Sequence, residues 1–340
     1  MKKTLLLLVF LTLLLCVVLA SCGDSATSST PSSSQNTPDD TPITAEEVRI
    51  LGINGPTGMG LANVIYTAQN AESSRYKCRI LPGPEDAKLE ILLGDYDIAA
   101  LPTNVAAALY NAKKADFQIA AVNTLGVLYV IENGQTVTDI ASLKGKTIHM
   151  FGQGSNPEYI VRHILKQNGL DPDTDVTFDF AHADHAAVAS HVIATPGAIA
   201  ILPEPQATRA VSGNSTAKVA LDITAEWRKV SDSDVMMGCI VVRREFAEKY
   251  PEQLQQFLDD YRASIEFVNQ NPDTASEIIS NLGIIPKAAL AKAAIPRCNI
   301  VFIDGEQMKN SLTGYFTALF NEEKTSIGGK VPDDGIYYQK

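Results

Sequence analysis

Short apolar runs alternate with stretches of helical periodicity along most of the chain. The apolar runs predict strands at residues 47–53, 76–81, 96–101, 117–122, 125–131, 147–151, 176–180, 197–202 and 236–242. The periodic stretches predict helices at 59–70, 84–93, 103–114, 157–168, 184–193, 251–269, 273–282, 286–294 and 305–320. Strands and helices that alternate with these lengths favour an α/β fold with mostly parallel sheets.

The order of these elements predicts two lobes. Residues 46–135 and 236–340 are expected to form a discontinuous first lobe, and residues 136–235 a second lobe. A chain of this length usually divides into two domains. Two extended crossings between the lobes would form a hinge, so that the cleft between the lobes could close around a ligand.

The N-terminus carries the pattern of a secretory leader. Lys2 and Lys3 precede an apolar run, at residues 5–20, that is short for a membrane span and ends in small residues. Residues 19–22 (L-A-S-C) resemble the bacterial lipobox, so residues 1–22 predict a lipoprotein signal peptide that ends at a lipidated Cys22; the alternative is a signal anchor with an incidental cysteine. Residues 23–45 are rich in Ser, Thr, Pro and Asp and predict a disordered tether. We therefore expect a domain anchored by lipid to the extracytoplasmic face of the cell membrane.

Charge and cysteine content narrow the possible functions. The chain has 28 Lys+Arg against 39 Asp+Glu, a net charge of −11, which disfavours binding to nucleic acids and to anionic lipid surfaces. Beyond the predicted anchor, the cysteines are Cys78, Cys239 and Cys298. An odd number at wide spacing, without a C-x-x-C pair, predicts buried free thiols, and one disulfide between two of the three stays open.

Several loops at the ends of predicted strands are similar to those of a known family. They are N-G-P-T-G-M-G at 54–60, L-P-T-N-V-A at 101–106, L-K-G-K-T-I at 143–148, G-Q-G-S at 152–155 and L-P-E-P at 202–205. In this order and spacing they resemble the solute-binding proteins of ABC importers, in the class that binds sulfonates, nitrate, taurine and thiamine precursors. The resemblance covers residues 46–320 and implies the two-lobed type II periplasmic-binding-protein fold. It also implies a monomer that holds a small molecule between its lobes, delivers it to ABC permease subunits and needs no cofactor.

The ligand is expected at these loops, because unsatisfied N–H groups at helix N-termini suit oxygen-rich ligand groups. For the threonines, the serine and Asn156 the competing interpretation is helix capping, and for the glycines it is turn geometry. The candidate ligand-binding residues are Asn54, Gly55, Thr57, Gly58, Met59, Thr103, Asn104, Gln153, Gly154, Ser155, Asn156 and Glu204.

The charge of the loops bears on the ligand. The four loops with candidate residues, at 54–60, 101–106, 152–156 and 202–205, contain no Lys or Arg, whereas a site for a bare anion more often includes an arginine. We therefore expect a neutral heterocyclic or amine-bearing ligand, with Glu204 facing it; the alternative places Glu204 at the lobe surface or hinge. Trp227, the one tryptophan, could stack on a ligand ring, but packing within the protein is favoured.

Other functions compete with solute capture as explanations of the sequence. His182, Asp184, His185 and His191 lie close in sequence, so capture of zinc or manganese is an alternative, although a helix start capped by Asp184 explains the same residues. The chain has no dinucleotide-binding fingerprint, P-loop, G-x-S-x-G or H-E-x-x-H pattern, which favours a binding protein over an enzyme. A lipid-anchored sensor that presents its ligand to a receptor stays open.

Overall fold

The fold is built on two β-sheets. A computed structural model describes residues 47–339 of the chain. The predictions for the leader, for lipidation of Cys22 and for the tether lie outside these residues. The strands are β1 (Val48–Ile53), β2 (Tyr76–Leu81), β3 (Ile98–Pro102), β4 (Phe117–Leu125), β5 (Leu128–Asn133), β6 (Thr147–His149), β7 (Thr177–Asp179), β8 (Ile199–Pro203), β9 (Ala217–Asp222), β10 (Met236–Arg243) and β11 (Ile300–Ile303). The first sheet has the order β11-β4-β10-β3-β1-β2, and the second β7-β6-β8-β5-β9.

Helices pack on both sheets and join their strands. They are α1 (Pro56–Met59), α2 (Ala62–Asn70), α3 (Pro84–Leu93), α4 (Thr103–Asn111), α5 (Asn156–Gln167), α6 (His185–Ala194), α7 (Gln206–Gly213), α8 (Ile223–Arg228), α9 (Arg244–Lys249), α10 (Pro251–Gln270), α11 (Pro272–Asn281), α12 (Ala288–Ala294) and α13 (Gly305–Glu322). Among the described residues, no helix is both long and apolar enough to cross a bilayer.

The two-lobed α/β fold is confirmed, but the prediction of mostly parallel sheets needs a correction. In the first sheet β1 pairs in parallel with β2 and β3, whereas β10 runs antiparallel to both β3 and β4. In the second sheet β6 pairs in parallel with β7 and β8, whereas β5 runs antiparallel to β8 and β9. β11 also runs antiparallel to β4, so each sheet is mixed.

The first crossing between the sheets lies at Gly126 and Val127, between β4 and β5. A Cβ atom at Gly126 would lie 2.1 Å from Oγ1 of Thr224, so this close approach requires glycine. The second crossing leads from α8 into β10. The predicted lobe boundaries at 135/136 and 235/236 stay predictions, and β5 pairs in the second sheet.

Local sequence explains why several elements have the bounds predicted for them. The α3 helix begins with Pro84 at its first position, carries Glu85 and Asp86 in its first turn and ends at Gly94 with φ 74°. Proline and acidic residues favour a helix start, and a left-handed glycine ends a helix. On β1, Ile50 and Leu51 are both 1% exposed and belong to hydrophobic clusters on opposite faces of the sheet. A strand buried on both faces is apolar throughout, as the sequence shows.

Candidate ligand-binding cleft

A cavity of about 800 Å³ lies where the loops after β1, β3, β6 and β8 meet. This is the place at which sheets with βα connections present the carboxyl ends of their strands. Eight of the predicted ligand-binding residues line it: Asn54, Gly55, Thr57, Asn104, Gly154, Ser155, Asn156 and Glu204. The volume lies within the range of small-molecule sites.

Four predicted residues do not line the cavity. Gly58 and Met59 are buried against the first sheet, and a Cβ atom at Gly58 would lie 1.8 Å from the carbonyl oxygen of Ile53. Thr103 is fully buried, and its hydroxyl donates to the carbonyl of Met236. Gln153 is exposed outside the cavity lining. Gly58 and Thr103 therefore have packing roles in the loops that shape the cavity.

The α5 helix brings its N-terminus to the cavity. Ser155 stands at the N-cap position, yet its side chain makes no capping hydrogen bond, so the capping interpretation is wrong for its hydroxyl. Glu158 instead accepts from the backbone N–H of Gly154, at 2.7 Å, and pairs with Arg162. Oγ of Ser155 is buried and has no hydrogen-bond partner within residues 47–339. A buried hydroxyl without a partner is costly, and a ligand atom would satisfy it.

The next residue, Asn156, connects the cavity to the last helix. Its Oδ1 accepts a hydrogen bond of 3.0 Å from the hydroxyl of Tyr315, which is on α13. Burial raises the pKa of Tyr315 above its ordinary value, so the phenol stays a donor. The bond fixes the Asn156 amide in the cavity wall and leaves its nitrogen available to a ligand.

Phe151 and His185 form an aromatic wall of the cavity. Their ring centroids lie 5.1 Å apart in an edge-to-face arrangement. Burial lowers the pKa of His185 to about 4, so the imidazole is neutral at pH 7, and its buried Nδ1 has no partner within residues 47–339. Sequence reasoning missed both residues as ligand contacts. The available signal was position, since Phe151 directly precedes the Gly152 loop and His185 begins α6.

Glu204 lines the cavity but already has a partner. Its Oε1 accepts a hydrogen bond of 2.6 Å from Nε of Arg297, and its Oε2 accepts one of 3.1 Å from the backbone N–H of Thr208. The guanidinium of Arg297 also donates to the hydroxyl of Thr208. Because Arg297 follows α12 and precedes β11, the ion pair connects the second sheet to the first. The position agrees with the alternative that placed Glu204 at the hinge.

The charge of the cavity follows from these contacts. Among the described residues that line it, none is Lys or Arg. The acidic lining residues are Glu204, paired with Arg297, and Glu85, which is exposed at the rim and lies 3.3 Å from Lys88. The cavity therefore presents neutral polar groups and apolar surface to a ligand.

The other candidate residues lie away from the cavity or have structural roles. Oδ1 of Asp184 accepts from the backbone N–H of Ala187, which confirms its role as the cap of α6. Trp227 is fully buried, and its Nε1 donates to the carbonyl of Ser233 at 2.5 Å, which confirms the packing interpretation. Cys78, Cys239 and Cys298 are free thiols, and burial raises the pKa of Cys78 to about 12.

Comparison with known proteins adds a family and a set of similar folds. The family model described as NMT1/THI5 like matches residues 81–275, more than half of the chain. No curated protein matches the sequence. The family match and the solved structures described next confirm the resemblance to ABC solute-binding proteins.

Three solved structures illustrate the shared fold. An ABC transporter structure from Parabacteroides distasonis is 21% identical, with a TM-score of 0.73 over 87% of this chain and 100% of that one. The periplasmic aliphatic sulphonate binding protein SsuA from Escherichia coli is 14% identical, with a TM-score of 0.70 over 87% and 93%. The zinc-bound ligand-binding component of an ABC-type import system from Staphylococcus aureus is 12% identical, with a TM-score of 0.65 over 87% and 97%. At these identities the likeness shows the fold.

Proposed function

The chain belongs to the NMT1/THI5-like family, and on this premise we propose that it is an extracytoplasmic solute-binding protein of an ABC importer. It captures a small organic molecule in the cavity between the two sheets and delivers it to membrane permease subunits, without chemical change. The predicted lipid anchor at Cys22 keeps the protein beside the permease. Both the family and the sulphonate-binding relative of similar fold support this role.

The observation that carries the proposal is the pair of buried, unpartnered polar atoms in the cavity wall. Oγ of Ser155 and Nδ1 of His185 lack partners within residues 47–339, and both residues line the cavity. Pairing or replacing these two groups would stabilise the fold, because each unsatisfied buried group costs about 1–3 kcal/mol. Their presence in the cavity wall therefore favours a role in ligand binding. A bound ligand that hydrogen bonds to both would remove that cost.

The lining favours a neutral, oxygen- or nitrogen-bearing heterocycle. The rings of Phe151 and His185 offer an aromatic surface, and Ser155 and Asn156 offer hydrogen bonds around its edge. Small anions are disfavoured, since the described lining has no cationic side chain. Glu204 does not favour an amine-bearing ligand, because the ion pair with Arg297 already neutralises its carboxylate.

Capture follows from differential binding to two arrangements of the lobes. Ligand contacts from Ser155 and His185 on the second sheet and from Asn54 and Asn104 on the first favour the arrangement that brings the loops together. The ligand shifts the population toward this closed form, which the permease recognises. A metal ion is not the favoured solute, because the histidine cluster of this chain lies outside the cavity lining.

A thermal-shift screen of the full chain in detergent tests the proposal. The panel contains pyrimidines and other neutral heterocycles, amines, aliphatic sulfonates, nitrate, amino acids and divalent metals. A solute at about 100 times its Kd stabilises the folded protein by about 2.7 kcal/mol, a rise in Tm of roughly 4 °C for a domain of this size. The expected hit is a neutral heterocycle, and its shift should shrink in Ser155→Ala.

Two outcomes would contradict the proposal. A shift with sulfonates or nitrate alone would overturn the ligand class but keep solute capture. Absence of any organic hit, combined with unchanged uptake of heterocycles in cells that lack the protein, would overturn solute capture itself. Co-purification with permease subunits would separate transport from presentation of the ligand to a receptor.

A further inference from the structure

Three histidine rings converge on the second sheet, apart from the cavity. His149 ends β6, His182 lies between β7 and α6, and His191 is on α6. One ligand nitrogen from each lies within 4.8 Å of the other two. The ring centroids of His149 and His191 lie 4.3 Å apart, and that of His182 lies 5.5 and 4.8 Å from them. None of the three residues belongs to the described lining of the cavity.

The spacing is close to that of a metal site. A tetrahedral zinc ion with Zn–N bonds of about 2.1 Å holds its ligand nitrogens about 3.4 Å apart. Each ligand nitrogen would need to move by about 1 Å or less to reach this arrangement. All three rings are part-buried, so their positions are limited by packing.

A carboxylate orients one of the rings. Nδ1 of His149 lies 2.9 Å from Oδ2 of Asp179, on the neighbouring strand β7. A hydrogen bond from this N–H to the carboxylate leaves Nε2 of His149 as the lone-pair donor. Such a pairing of carboxylate and histidine is common behind metal-binding imidazoles, because it fixes the tautomer and raises the basicity of the ligand nitrogen.

The cluster has no internal explanation as a hydrogen-bonded core. Nε2 of His182 is buried and has no partner within residues 47–339. Three imidazoles in contact would repel one another if protonated, whereas a cation between neutral rings would hold them together.

We propose that His149, His182 and His191 form a zinc site, with Asp179 as the residue that positions His149. Three imidazole nitrogens suit zinc and similar borderline metals, whereas calcium, magnesium and manganese prefer oxygen ligands. The fourth coordination position is open to water or to a ligand from outside. The site goes beyond the proposed capture of an organic solute and does not depend on it.

The position of the site gives it a consequence for the cavity. His149 is two residues from Phe151, and His182 and His191 stand on either side of His185 in the chain. A zinc ion would therefore tie β6 to α6, the two elements near whose ends Phe151 and His185 of the aromatic wall stand in the chain. Zinc would brace that wall from outside the cavity.

Titration of the chelator-treated full chain with Zn²⁺ and with Co²⁺ tests the site. We expect one ion per chain, with Zn²⁺ followed by calorimetry and Co²⁺ by the visible absorption of a four-coordinate ion. His191→Ala should weaken zinc binding by about a hundredfold or more, and Asp179→Asn by roughly 10- to 100-fold. The matched control is His163→Gln, which removes a histidine that pairs with Glu322 away from the cluster and should leave zinc affinity unchanged.

Folding of each variant is checked by its Tm in the presence of chelator, so that loss of binding is distinguished from loss of structure. Zinc should raise the Tm of wild type and of His163→Gln and leave that of His191→Ala unmoved. Equal zinc affinity in wild type and His191→Ala, or an equal loss in His163→Gln, would overturn the site. Failure of the solute screen would leave these results untouched, so the two proposals can fail separately.

Discussion

The two sides of the cavity are built differently. On the side of the first sheet, Gly58 packs on the carbonyl of Ile53, and the hydroxyl of Thr103 donates to the carbonyl of Met236. On the side of the second sheet, Ser155 and His185 present buried polar atoms without partners. The first side mainly determines the shape of the cavity. The second side offers buried polar atoms that a ligand can hydrogen bond to.

This difference indicates where affinity and specificity arise. Five prolines from the first-sheet side line the cavity, namely Pro56, Pro82, Pro84, Pro102 and Pro286. Because proline fixes its own φ and lacks an N–H donor, these positions form a stiff and largely apolar surface. Asn54 and Asn104 also line this side, so we expect the second sheet to supply the larger part of the hydrogen-bond energy. Four predictions test the comparison.

The largest expected effect comes from the ion pair that joins the two sides. Arg297→Met leaves the buried carboxylate of Glu204 without its partner, and we expect a loss of about 3 kcal/mol in the free energy of unfolding. The double substitution Glu204→Gln with Arg297→Met should recover at least half of that loss. Urea unfolding measures both, with the exposed Arg79→Met as a control that stays within about 1 kcal/mol of wild type. A loss in Arg79→Met as large as in Arg297→Met would argue against the pair.

The rigidity of the first side can be broken at Gly58. Gly58→Ala introduces a Cβ atom against the backbone carbonyl of Ile53, which cannot rotate away, so we expect a loss of roughly 3 kcal/mol in the free energy of unfolding. Gly83→Ala is the matched control, since its Cβ atom would meet open space. Differential scanning calorimetry compares the Tm values of the two variants. Similar Tm values would show that the loop at Gly58 adjusts without loss of stability, which would contradict the prediction.

The buried imidazole of the second side should make stability depend on pH. Because burial lowers the pKa of His185 from 6.5 to about 4, the unfolded chain binds a proton between these pH values and the folded chain does not. The free energy of unfolding should therefore fall, as pH drops from 6.5 toward 4, by up to about 1.4 kcal/mol per pH unit. His185→Gln should remove this part of the pH dependence. Parallel pH profiles in wild type and variant would contradict the prediction.

The smallest effect compares the two sides directly through ligand affinity. Ser155→Ala removes an unpartnered hydroxyl of the second side, and we expect about tenfold weaker binding of the solute found by the screen, close to 1.4 kcal/mol. Thr57→Val, a substitution of similar shape on the first side, should change the Kd by less than about threefold. Isothermal titration measures both, and a larger loss in Thr57→Val would reverse the assignment of the two sides.

The sequence predicts several elements well because their patterns are strong. The β2 strand and the α3 helix have the predicted bounds. For α3 the reason is that a proline begins the helix and a glycine ends it. The elements that sequence reasoning missed are α1, α7, α8, α9, β9 and β11. Both missed strands are edge strands; Ile300–Ile303 has only four residues, and Ala217–Asp222 mixes small and charged residues. Such short elements form because the neighbouring strand is already in place.

The site was predictable as far as it depends on loops at strand ends. Asn54, Asn104 and Ser155 follow from that rule, and all three line the cavity. The rule could not separate the cavity-facing side of a loop from its packed side, so Met59 and Thr103 were included although both are buried. The pairing of Glu204 with Arg297 depends on residues 93 positions apart, which no local pattern reveals.

The hydrogen bond between Tyr315 and Asn156 limits how such proteins can exchange parts by recombination. The segment from β5 to β9 carries the polar side of the cavity and looks like a self-contained cassette that could be moved between relatives to change the solute. Yet Asn156 in that segment is held by a residue of the C-terminal helix, and Glu322 at the end of the same helix pairs with Lys166 of α5 at 2.6 Å. A chimera that receives this segment alone would lack the contacts of Asn156 with Tyr315 and of Lys166 with Glu322. A functional chimera must therefore exchange α13 together with the segment.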